Sequence, residues 1–160
     1  AQGLLAWLAL LPMVSMLPGT ANQRWGRASI WLGVFVACLA VYMIGYWSPP
    51  GHPDPWYFLG APQRALRFLL TLLGAPLARE VVNATLLGAV LLTVFVWYGA
   101  RAIRHRRGGQ LAVVMPWFSL GLFALLFAGM VTLGRGGMGV DGAMAGRYTT
   151  SALMLGIAVV

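Results

Sequence analysis

Between residues 28 and 46 the chain runs for 19 positions without a charged side chain, and it does so again for 20 positions at 81–100 and 23 at 111–133. About 20 apolar residues in a helix cross the hydrocarbon of a bilayer. Within that hydrocarbon a backbone must satisfy its own polar groups, which leaves helices and closed barrels. Uninterrupted apolar runs without a two-residue alternation select the helix. Two shorter runs, 4–17 and 148–160, have the same character but fall short of a full span, as they would in a piece of a longer protein. The sequence therefore predicts an all-α, polytopic transmembrane helical bundle, a single transmembrane domain over residues 1–160. About five spans are expected, near 4–17, 28–46, 81–100, 111–133 and 148–160, with the first and last truncated.

Composition excludes the alternative of a soluble domain. Only 9 % of residues are charged and 60 % are apolar, where a soluble domain carries about 25 % charged. No basic stretch precedes the first apolar run, so a signal peptide is not indicated. The single cysteine, Cys38, rules out an internal disulfide and is expected as a small buried residue in mid-helix.

The net charge of +8 comes without a single lysine. Six arginines fall in the loops 18–27 and 101–110, and five in the longer loops 47–80 and 134–147. By the positive-inside rule the first pair is cytoplasmic and the second pair outside, in a multi-pass protein of a bacterial inner (cytoplasmic) membrane. The cluster Arg104, His105, Arg106 and Arg107 is then a stop-transfer anchor, and no nucleic-acid partner is required. Trp25 and Trp31, Tyr46 and Trp47, and Trp97 and Tyr98 stand at span ends, where amphipathic rings favour headgroup depth.

The outer loop 47–80 opens with Ser-Pro-Pro-Gly-His-Pro-Asp-Pro, which is extended and rigid. His52 and Asp54 within it are weaker outer-loop candidates for acid–base chemistry; two such groups make no metal site, and none is predicted. An amphipathic helix follows at 62–73, with Pro62 in its first turn and Arg64 and Arg67 on one side. At this length it cannot span, so it is expected as one interfacial or re-entrant outer helix. Glu80 suits the positive end of the third span's dipole.

The stretch Gly-Arg-Gly-Gly-Met-Gly-Val-Asp-Gly-Ala-Met-Ala-Gly-Arg-Tyr-Thr-Thr, residues 134–150, carries the most chemistry. Its glycines permit tight turns that expose backbone amides. Asp141 is a good helix N-cap, so a helix is predicted from Gly142 through Arg147 into the fifth span. Guanidinium groups grip phosphate oxygens bidentately. Arg135, Gly136, Gly137, Arg147 and Tyr148 are accordingly the candidates for an anion or lipid-phosphate site. The competing reading has both arginines snorkelling to headgroups, one of them paired with Asp141.

This stretch, with Leu73-Gly74-Ala75-Pro76-Leu77 upstream, resembles an uncharacterised class of polytopic bacterial inner-membrane proteins. In that class a Gly/Arg-rich outer turn precedes Arg-Tyr-Thr-Thr and another span; Gly146 stands where the class has serine. The resemblance implies a many-helix envelope protein, with a distant architectural analogy to glycosyltransferases that use lipid-linked sugars. Three functions follow as expectations. One is an enzyme or helper in envelope glycan assembly that holds a polyprenyl-phosphate-linked sugar on the outer face, among membrane lipids. Another is a non-catalytic membrane scaffold. The third is a transporter or flippase, against which the scarcity of polar residues in the complete spans counts. Catalysis itself stays open, and nothing in the sequence indicates a cofactor.

Overall fold

The computed structural model describes residues 2–45, 56–104 and 110–159, and among these every regular element is helical. Seven α-helices occur: α1 Gln2–Ser15, α2 Ala21–Met43, α3 Tyr57–Gly60, α4 Pro62–Gly74, α5 Val81–Arg104, α6 Gln110–Arg135 and α7 Thr149–Val159. Three stretches, Ala21–Met43, Val81–Ala102 and Val113–Met138, are long and apolar enough to cross a membrane. The chain is a membrane protein built as an all-α bundle.

The second span begins a turn or two before the apolar run because its cap lies there. Thr20 accepts from the Gln23 amide while the Gln23 side chain accepts from the Thr20 amide, a reciprocal capping box. Arg27 then reaches back to donate to the carbonyls of Leu17 (2.8 Å) and Pro18 (3.1 Å), and Arg24 to that of Gly19. The two arginines of this loop thus also satisfy acceptors in the turn after α1. Higher up, Trp31 donates its indole N–H to the Trp7 carbonyl at 2.7 Å, with the two ring centroids 4.4 Å apart. α1 packs on α6 and joins this hairpin to the rest.

No residue of α2 is buried, which corrects the expectation for Cys38: the thiol is exposed. In a bilayer an apolar residue is as well solvated by lipid as by protein, so apolarity does not report which neighbour it has.

The core is centred on α4, the helix expected as interfacial or re-entrant. Phe68, Leu72 and Leu73 are fully buried among Phe127, Ala128, Ala143, Tyr148 and Leu155. Arg64, Leu66 and Arg67 stay outside, so the arginines do share the exposed side. Pro62 occupies the first turn as expected. α4 and α5 meet backbone to backbone: a Cβ at Gly74 would strike the Ala84 carbonyl oxygen, and one at Gly88 the Leu70 carbonyl. Thr71 and Thr85 share a hydroxyl hydrogen bond of 2.8 Å across the same crossing. Small residues at a close helix crossing are the usual means of association where lipid removes the hydrophobic drive. Glu80 directly precedes α5, its carbonyl accepting from the Ala84 amide and its carboxylate from Asn83 at 3.1 Å.

α5 and α6 interlock by exchange. Phe118 of α6 lies over Gly99 of α5, and Phe95 of α5 lies over Gly121 of α6. The two rings stack with centroids 5.2 Å apart and planes 11° from parallel.

Candidate functional site

α6 ends at Arg135, and the glycine-rich stretch does not become a helix from Gly142. It forms three short 3-10 turns, Gly136–Met138, Val140–Met144 and Gly146–Tyr148, and α7 starts only at Thr149. Asp141 lies exposed inside the second turn, and that turn has no side-chain cap. The cap expectation is therefore corrected. Gly142 and Gly146 disfavour a helix interior, and Ala145 takes an extended conformation (φ −64°, ψ 125°) that interrupts the path. Gly139, at φ 104° and ψ 153°, occupies a region that side chains exclude.

The glycines do not form the expected cradle of free amides throughout. The amides of Gly142, Ala145 and Tyr148 donate to the carbonyls of Gly139, Gly142 and Ala145. Side chains of the same stretch are the other groups that could hold an anion.

Those side chains fall into two groups. At the α6 end, Gly136 is buried and faces the Tyr57 hydroxyl of α3 so closely that a Cβ would collide with it. Arg135 beside it is half-buried, and Gly137 is exposed. Burial raises the Tyr57 phenol above its ordinary value near 10.0. Its hydroxyl is enclosed without a hydrogen-bond partner among the described residues. At the α7 end, Tyr148 is only 6 % exposed, its ring 6.1 Å from that of Phe127, and its hydroxyl is likewise enclosed and unpartnered. The Arg147 guanidinium stands 5.2 Å over the Tyr148 ring, within cation–π range, while Arg147 itself is exposed.

Phe127 precedes Arg135 by eight residues, roughly 12 Å along a helix axis. The 3-10 turns therefore descend beside α6, and no hydrogen bond, ion pair or ring contact joins Arg135 to Arg147. Nor does Asp141 pair with either among the described residues. His52 and Asp54 lie outside the described residues, as do Tyr46, Trp47, His105, Arg106 and Arg107. Sequence reasoning missed Tyr57: it contacts the site from 79 positions away, and no local pattern marks it.

Comparison with known proteins adds no relative: no family model, curated protein or solved structure matches the chain.

Proposed function

We propose that this membrane protein belongs to a bacterial inner membrane and binds the phosphate of a polyprenyl carrier at the outer boundary, in envelope glycan assembly. In this reading loops 18–27 and 101–110 face the cytoplasm. Arg147 is the phosphate ligand and Tyr148 its platform, with Arg135, Gly136 and Gly137 forming the weaker, upper part of the site. The observation that carries it is the state of Arg147: an exposed guanidinium without a carboxylate partner among the described residues, held over a ring that is itself buried. A freely snorkelling arginine must be ordered on binding, at a cost of about 0.5–1.5 kcal/mol. One resting on a fixed ring has less to lose, and its planar fork suits phosphate oxygens.

The test is retention of undecaprenyl phosphate by the full-length chain in mild detergent, read by native mass spectrometry against bulk phospholipid. Arg147→Ala should retain at least tenfold less, Arg147→Lys an intermediate amount, and Arg135→Ala close to the wild type. Equal, nonselective adducts in all four would end the proposal. The scaffold reading would then lead, supported by α2, a whole span with no buried residue and hence free for other helices.

A further inference from the structure

One face of α5 is left uncovered along much of its length. Leu86, Val90, Thr93, Trp97, Arg101 and Arg104 follow one another at three- and four-residue spacing, so they share one side of the helix, and all six are exposed. Toward the C-terminus this face turns from aliphatic through aromatic to cationic. The Arg101 guanidinium stands 5.6 Å over the Trp97 ring, and Tyr98 meets that ring edge-on with centroids 5.1 Å apart. Arg101 lies just inside Val81–Ala102, the stretch apolar enough to cross a membrane, so its charge belongs at the edge of the hydrocarbon.

We infer that this face seats an anionic phospholipid of the leaflet at the C-terminal end of α5. Arg101 and Arg104 hold its phosphate, and one acyl chain lies along Trp97, Val90 and Leu86. The inference is independent of the phosphate reading at Arg147. Its first support is donors left unspent. In the turn before α2, Arg24 and Arg27 donate to the carbonyls of Gly19, Leu17 and Pro18. Arg101 and Arg104 make no hydrogen bond or ion pair among the described residues. A cation near a helix C-terminus favours the last carbonyls, but Arg101 is turned back over a ring four residues earlier, away from them. α5 carries no acidic residue that could neutralise either guanidinium. Charge at the border of hydrocarbon is expensive when nothing answers it, and a charge-assisted hydrogen bond to a phosphate oxygen does so.

Charge also decides which lipid. Two guanidinium groups within one turn present two positive charges to one headgroup. A zwitterionic headgroup sets its own cation beside the phosphate, whereas an anionic one sets none there. Each arginine close to an anionic surface raises affinity about fivefold. Length agrees with the same occupant. From Trp97 back to Leu86 is roughly 16 Å along the helix axis, against roughly 15 Å for the hydrocarbon of one leaflet. An acyl chain whose phosphate sits at Arg101 therefore lies against this face over its whole depth.

Trp97 supplies the experiment, because bromine on an acyl chain quenches an indole that it touches. The full-length chain is placed in nanodiscs of one phosphatidylcholine–phosphatidylglycerol mixture, with the bromine carried on either lipid. The signal of Trp97 is the difference between the wild type and Trp97→Phe. Corrected for abundance, brominated phosphatidylglycerol should quench it about fivefold or more strongly than brominated phosphatidylcholine. Arg101→Gln should remove most of this preference and Arg104→Gln part of it. Thermal unfolding should stay unchanged in both, because the side chains are exposed. Arg64→Gln, on the exposed side of α4, should leave the preference intact. Equal quenching by the two lipids in the wild type overturns the proposal. So does full preference in Arg101→Lys, since charge alone would then suffice without the planar guanidinium.

Discussion

Gly136 has no room for a methyl group. The Tyr57 hydroxyl and the adjoining ring atoms sit where its Cβ would be, so Gly136→Ala should destabilise by about 1–3 kcal/mol, the usual cost of overpacking. A double-mutant cycle with Tyr57→Ala checks the assignment: the pair should cost less than the sum of the single variants, since the second change removes the obstacle. Tyr57→Phe behaves differently. Its hydroxyl is enclosed without a partner among the described residues, and deleting an unsatisfied group is neutral or stabilising. The same hydroxyl makes stability depend on alkaline pH. Because burial raises its folded pKa above 10.0, the folded state keeps a proton that the unfolded state sheds. Its contribution is complete below pH 10.0 and is lost as pH rises through the folded value. Thermal unfolding of the wild type should therefore show a falling alkaline limb that Tyr57→Phe lacks. The contact between Arg147 and Tyr148 was legible in the sequence because the two are neighbours. The Tyr57–Gly136 contact was not, because it exists only once α3 and the first 3-10 turn have been brought together.

Among the elements, the α4–α5 crossing is the most exacting. The atoms that face Gly74 and Gly88 belong to the opposing backbone, which cannot rotate away as a side chain would. Gly74→Ala and Gly88→Ala should each cost at least about 1–3 kcal/mol, measured as loss of thermal stability in detergent. The segment before α7 gives the opposite expectation. Had Asp141 capped a helix, Asp141→Ala would cost about 1 kcal/mol; as an exposed residue of a 3-10 turn it should cost under about 0.5 kcal/mol. The three long apolar helices were legible because the length of an apolar run is itself the physical requirement for crossing a bilayer. The burial of α4 was not, since an amphipathic helix announces that one face is covered without saying by what. The cap at Asp141 was misread because capping chemistry was weighed alone, while Gly142, Ala145 and Gly146 all oppose the helix it would have started.

For the whole molecule the orientation is open to direct measurement. In a Cys38→Ser background, a cysteine at Gly137 should react with a membrane-impermeant maleimide on intact spheroplasts. One at Gly26, beside the arginines of the α1–α2 turn, should react only after permeabilisation. The reverse pattern would place the arginine-rich loops outside and with them remove the outer-face site. The fold class was legible at this scale, since apolarity and helicity are summed properties that no single residue can overturn. The partner surfaces were not: the exposure of α2 depends on which helices surround it, and hydropathy is the same for a lipid neighbour as for a protein one.

The exchange of rings and glycines between α5 and α6 bears on motion. One such contact would act as a pivot about which the helices could turn. Two, set in opposite senses, with Phe118 seated on Gly99 and Phe95 on Gly121, behave as a pair of dowels. Sliding α5 along α6 by a turn would bring a ring opposite Phe95, Ile103, Trp117 or Leu125 in place of a glycine. Any rearrangement of the turns after α6 must therefore be taken up by α7 and the glycines between α6 and α7, since α4 is held to α5 backbone to backbone.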